Sequence, residues 1–170
     1  MFLKIVKILN NFIIVLSIML ALDTQIMVVS GESMMPTFVN EEIGVTMRHN
    51  KYQKIERFDV AIIRCEKTGN QCWIKRVIGL PGDVIQYKNN HLYINNKEVK
   101  ETFKTNTPTE DFGPIRLKED EYYVMGDNRE HSYDSRKVGA FKKEDIKNIG
   151  LSIIQLPEFI EKIIYHRVFS

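Results

Sequence analysis

From residue 30 onward, short runs of Val, Ile, Phe and Tyr alternate with clusters of Gly, Asn, Asp and Pro. Runs of β-branched and aromatic residues bounded by turn formers read as strands, here over 43–47, 59–64, 73–78, 84–87, 91–94 and 122–125. The stretch 92–99 reads as a hairpin turning at Asn95-Asn96. Residues 102–113, polar and containing Pro108, read as a loop. A short helix is expected over 142–149, and 156–164 has helical spacing of apolar residues that also suits a membrane surface. No internal repeat or low-complexity segment interrupts the pattern. The chain is therefore expected to be mainly β with few helices.

The N-terminus has a different character. Lys4 and Lys7 precede an uncharged run over 8–22, Asp23 ends it, and 24–29 is again mostly uncharged. Fifteen helical residues span roughly 22 Å, short of a hydrocarbon core near 30 Å. Snorkelling lysines and local bilayer thinning can close that gap. The run is apolar on every face, unlike an amphipathic core helix. A cleaved signal peptide is the rival reading, but Met19-Leu20-Ala21 lacks small residues at both cleavage positions. The sequence thus divides into a cytoplasmic N-terminus (1–7), a transmembrane anchor (8–27) and an extracytoplasmic domain (28–170), with a small accessory β lobe over 88–121. Positive charge at the N-terminus keeps that end inside.

Size and charge narrow the function. With 170 residues, 27% charged and a net charge of +2, the chain can build one core and has no basic stripe for nucleic acid. Cys65 and Cys72 flank a turn-like Thr68-Gly69-Asn70 between two strand runs. They face each other across a hairpin in one reading and form a disulfide outside the cytoplasm; in the other they are free thiols. Two cysteines without neighbouring histidines supply too few ligands for a metal.

Three segments carry chemistry. Ser33 follows Gly31 and precedes Pro36, which suits an exposed nucleophile on a constrained turn. Lys75 lies in the apolar run from Trp73 to Ile78, where alternation puts it on one face with Trp73 and Val77. A lysine desolvated there loses affinity for its proton and can serve as a base for serine. The third segment, Gly126-Asp127-Asn128-Arg129 through Ser132-Tyr133-Asp134-Ser135-Arg136, is a polar loop directly after a strand, a common place for function. Each also has a plain reading, as a turn serine, a solvent-facing lysine and a solvated loop.

Together, Ser-Gly-x-Ser-Met-Met-Pro-Thr, Lys-Arg-Val-Ile-Gly-Leu-Pro-Gly-Asp and Gly-Asp-Asn-Arg-x-x-Ser-x-Asp-Ser-Arg resemble the motif boxes of bacterial type I signal peptidases, in the family's order, over most of 30–139. The resemblance implies the signal-peptidase β-fold, with Ser33 as nucleophile and Lys75 as general base. It further implies Ser132 as the group orienting the lysine, Asp134 and Arg136 as a supporting ion pair, and structural roles for Asp127, Asn128 and Arg129. Some members have a serine two positions before the nucleophile that helps hold the oxyanion. Gly31 stands there instead, so the backbone N–H groups of Ser33 and Gly31 are expected to serve. Met34, Phe38 and Trp73 fall where the family lines its shallow substrate pockets. The implied substrates are exported preproteins, cut after a small residue with another two positions earlier, at the plasma membrane's extracytoplasmic face. No metal or organic cofactor is implied, and the working form is expected to be a monomer.

Other readings are weaker. A triad through His131 with Asp127 or Asp134 is disfavoured because His131 adjoins Ser132 and neighbouring side chains diverge in an extended segment. A dedicated peptidase of narrow substrate range keeps all the same residues. A non-catalytic assembly factor of this fold is disfavoured, since inactive relatives lose the nucleophile or the lysine.

Overall fold

The computed structural model describes residues 10–11, 13–14, 24–48, 53–64, 66–69 and 71–154. Among them, eleven strands form two antiparallel sheets. The seven-stranded sheet runs β1 (Thr24–Val28), β2 (Ile43–Arg48), β11 (Ile146–Ile153), β3 (Val60–Ile63), β4 (Trp73–Gly79), β9 (Glu121–Met125), β10 (Phe141–Lys142). The four-stranded sheet runs β7 (Lys97–Val99), β6 (His91–Ile94), β5 (Val84–Lys88), β8 (Phe112–Arg116). A short helix, α1 (Ser135–Val138), follows the loop over 126–134, its first turn capped by the Asp134 side chain.

The second sheet turns tightly. Asn89-Asn90 and Asn95-Asn96 all have positive φ, the geometry of two-residue hairpin turns that asparagine tolerates. The Asn95-Asn96 hairpin is as expected. The lobe itself begins earlier than residue 88, because β5 pairs with both β6 and β8 and so belongs to it. Ile78, Ile85, Tyr87, Leu92, Leu117, Tyr123 and Met125 pack between lobe and main sheet. A second cluster of Ala61, Ile63, Val77, Val124, Phe141 and Ile149 fills one face of the main sheet.

The structure corrects three expectations. Residues 142–149 are not a helix: a single 3-10 turn over Lys143–Asp145 leads directly into β11. Ile146 and Ile149, three residues apart, are both buried because register shifts in β11 break strict alternation as it pairs with β2 and β3. The anchor's expected last residues, 24–27, form β1, paired to β2 from Thr24↔Met47 to Val28↔Ile43. Most of the expected anchor, and the segment 156–164, lie outside the described residues; among those described, no helix is long and apolar enough to cross a membrane. Finally, Cys72 is a free, exposed thiol and Cys65 lies outside the described residues.

Candidate active site

Ser33 sits in a turn between β1 and β2 and Lys75 in the middle of β4; the fold brings them together across 42 residues. Lys75 Nζ lies 2.7 Å from Ser33 Oγ and donates to the Ile74 carbonyl at 3.0 Å. Lys75 is only 5% exposed, and its ammonium lies 5.8 Å from the centroid of the Trp73 ring. Burial lowers its pKa from 10.5 to about 8; Asp134 and Asp127 raise it in opposition, and Arg136 lowers it further. Desolvation wins because the carboxylates are engaged elsewhere. Lys75 can therefore reach the neutral form a base requires near physiological pH.

The Ser33 turn is held from beneath. Asn128 N–H donates to the Ser33 carbonyl at 3.0 Å and Asn128 Nδ2 to the Glu32 carbonyl at 3.1 Å. Gly126 is required there: a Cβ would stand 2.3 Å from Ser132 Oγ and 2.4 Å from the Ser33 carbonyl oxygen. The loop over 126–134 thus lies directly against the Ser33 backbone. A groove of about 300 Å³ runs from Ser33 and Lys75 between 27–31 and 71–75, with Val29, Met34, Trp73 and Ile74 in its walls.

The family model described as "Signal peptidase, peptidase S26" matches residues 2–154. The chain belongs to this family. It is 43% identical to signal peptidase I P of Bacillus subtilis subsp. natto over 132 residues, which is 71% of this chain and 70% of that one. It is 42% identical to signal peptidase I of Bacillus amyloliquefaciens over 131 residues, 70% of this chain and 69% of that one. Among solved structures, a signal peptidase I from Enterococcus faecalis aligns with a TM-score of 0.51 at 30% identity, covering 58% of this chain and 97% of that one. The chain is an enzyme of the signal peptidase I kind, and its mainly β architecture is that of the signal peptidase fold.

The remaining residues singled out in the sequence have uneven positions in this signal peptidase. Asp134 is fully buried and Arg136 pairs with it at 2.8 and 2.9 Å. Burial alone would raise the Asp134 carboxyl; the Arg136 guanidinium and the Gly126 N–H outweigh it and hold the pKa below the ordinary range. Ser132 Oγ is buried and approaches the Asp134 carboxylate without reaching hydrogen-bonding geometry. It makes no hydrogen bond to Lys75, whose second contact is the Ile74 carbonyl. Gly31, with φ of 91°, donates its N–H to Asn40 Oδ1 at 2.7 Å, so that donor is already engaged and Gly31 is corrected as an oxyanion donor. The Ser33 N–H has no acceptor among the described residues. Met34 and Trp73 line the groove, whereas Phe38 packs behind Met34 in a buried cluster with Val29 and stays out of the walls. His131 is exposed, in keeping with the disfavoured triad.

Two supports centre on Asp127 and Arg129, for which the resemblance implied structural roles without naming their partners. Arg76, next to Lys75 but on the opposite face of β4, makes a buried bidentate pair with Asp127 at 2.7 and 2.5 Å, and Thr37 Oγ1 donates to the same carboxylate. Arg129, 3% exposed, donates to the Gly126 carbonyl, Tyr87 Oη, Glu101 and Thr109, tying the accessory lobe to the catalytic loop. Among the described residues, no group of three or more His, Cys, Asp and Glu side chains is arranged to hold a metal.

Proposed function

We propose that this chain removes signal peptides from exported preproteins by a Ser33–Lys75 dyad, cutting after a small residue, with Ala at −1 and a small residue at −3. The observation that carries the reading is the 2.7 Å contact between Ser33 Oγ and a buried lysine whose pKa is lowered to about 8. Neutral Lys75 takes the Ser33 proton as Oγ attacks the scissile carbonyl, and the Ser33 N–H donates to the oxyanion. The lysine ammonium then gives its proton to the departing amine. Neutral again, it deprotonates the water that releases the acyl chain from Ser33. Ser132, whose buried hydroxyl lacks a partner, rotates to hold Lys75 through this cycle. Met34 and Trp73 leave shallow pockets that admit small side chains only.

The domain stands on the extracytoplasmic face of a bacterial plasma membrane as a monomer, held by a single anchor ending before β1, with the N-terminus cytoplasmic. The support is the apolar run over 8–22 behind Lys4 and Lys7. Cleavage of a model preprotein in detergent, with sequencing of the new N-terminus, tests the function. Wild type should cut after alanine, while Ser33→Ala and Lys75→Ala should not cut. Activity surviving in Lys75→Ala would remove the dyad.

A further inference from the structure

The two arginines that brace the site share one cover. Arg76 uses the edge of its guanidinium, with Nε and Nη2 on Asp127 and Nη1 on the Phe58 carbonyl at 2.8 Å. The face of the same group is left over, and the centroid of the Phe103 ring lies 4.2 Å from it. Arg129 lies 5.7 Å from that ring, and Phe58 meets it edge-on at 5.3 Å. A planar guanidinium bonds in its plane and stacks on its face at once, so these contacts do not compete. Phe103 comes from the accessory lobe, a few residues after β7, between the exposed Thr102 and Lys104. Its stretch is tied on both sides: Glu101 accepts from Arg129, and Thr107 Oγ1 accepts from the Glu130 N–H at 3.2 Å.

What the ring covers decides what it does. Arg76 follows Lys75 in β4 and points to the opposite face of the sheet. Its partner Asp127 also accepts from Thr37, in the turn that carries Ser33. Asp127 in turn precedes Asn128, whose N–H holds the Ser33 carbonyl. Base strand, nucleophile turn and the loop over 126–134 therefore meet at one buried ion pair, and Phe103 closes it from the lobe side, leaving Arg76 7% and Asp127 0% exposed. We propose that Phe103 is a positioning residue for the peptidase: its aromatic face on Arg76 fixes Ser33 against Lys75 from across the sheet, which makes the accessory lobe part of the catalytic device. The proposal rests on the Ser33–Lys75 reading. A ring face attracts a cation, where an aliphatic side chain of similar bulk only excludes water. Leucine at 103 would keep the lobe packed yet let the guanidinium rock. A misplacement of about 1 Å far from the chemistry can cost about 10²-fold in rate, and here it would leave the substrate groove intact.

The test is steady-state cleavage of a peptide with Ala at −1 and −3 by the full chain in detergent. Wild type is compared with Phe103→Leu, Phe103→Tyr, Arg76→Lys and the double variant Arg76→Lys, Phe103→Leu, with urea midpoints confirming that each is folded. Should Phe103→Leu unfold, Phe103→Met serves the same comparison. Phe103→Leu should lower kcat by about tenfold with KM within about twofold of wild type. Phe103→Tyr, which keeps the ring, should recover most of that loss. With Arg76→Lys the stacked plane is already gone, so adding Phe103→Leu should cost less than about twofold more. Wild-type kcat in the folded leucine variant, or equal losses with leucine and tyrosine, would overturn the proposal. So would a rise in KM in place of the fall in kcat, or losses that multiply in the double variant. Failure of the dyad reading looks different: wild type would leave the peptide uncut, or Ser33→Ala would cut it equally.

Discussion

Replacing Trp73 with alanine should move the acid limb of catalysis to higher pH. In the native protein burial brings Lys75 from 10.5 to about 8. A displacement of that size is about 3 kcal/mol of penalty on the charged form. At pH 7 it leaves about a tenth of the lysine neutral, against about one molecule in 3,000 for an unperturbed amine. Trp73 contributes to this burial, with its ring 5.8 Å from Nζ and packed edge-on against Tyr133 and Phe141. Removing it has two opposed effects. Loss of the cation–π contact withdraws about 0.5–1 kcal/mol from the charged form and lowers the pKa. Admission of water relieves a penalty several times larger and raises it. Desolvation is the larger, so relieving even half of it lifts the limb by about one pH unit and lowers kcat/KM at pH 7 by about tenfold. The assay is kcat/KM against pH on a short peptide, because that profile reports the free enzyme's groups whatever the plateau height. A limb that stays at 8 or moves lower in Trp73→Ala would refute the desolvation argument.

Further outcomes follow from the same contacts. Lys75→Met should abolish activity yet raise stability at pH 7 by about 2 kcal/mol, the released penalty less the lost hydrogen bonds, or about 4–8 °C in thermal midpoint. Because the folded pKa of Lys75 is depressed, the unfolded chain holds more protons between pH 8 and 10.5, so wild type regains that stability as pH rises through this window and the variant's advantage closes. Arg76→Leu strands the fully buried Asp127 and should cost about 3–5 kcal/mol, read as a lowered denaturation midpoint. Asn128→Ala frees the Glu32 carbonyl, one residue before Ser33, while the backbone bond to Ser33 stays, and should lower kcat by up to about 10²-fold while KM stays put, since it misplaces the nucleophile rather than the pocket. Gly126→Ala, which drives a methyl against Ser132 Oγ and the Ser33 carbonyl, should lose activity with the circular dichroism of the sheets retained.

The parts read well from sequence are those with local signals. Alternation placed Lys75 on the Trp73–Val77 face, and Val77 and Trp73 do lie with the main apolar cluster. The Asn95-Asn96 turn followed from asparagine's tolerance of positive φ. What sequence did not disclose depends on distant partners. Residues 142–149 were expected to be helical, and it is the place of β11 between β2 and β3 that makes a bulged strand the better solution. β1 was absorbed into the apolar N-terminal run because nothing local shows that it pairs with β2. β8 was hidden in a polar stretch; it exists because the edge of β5 accepts it. At the site, the Gly31 N–H could be assigned to an oxyanion only until Asn40, nine residues on, was seen to take it. Spacing left the Cys65–Cys72 disulfide open, and Cys72 is a free thiol. The motif boxes themselves were legible because their chemistry is packed into short segments, and structural roles for Asp127 and Arg129 came with them; the distant partners Arg76, Tyr87, Glu101 and Thr109 did not.

The most direct measurement is mass spectrometry of protein quenched in acid during turnover of a peptide substrate. The account requires an ester between Ser33 Oγ and the acyl half of the substrate, found on the fragment carrying Ser33 and missing in Lys75→Ala. Turnover with no adduct on Ser33, or an adduct that persists without Lys75, would contradict a Ser33–Lys75 dyad.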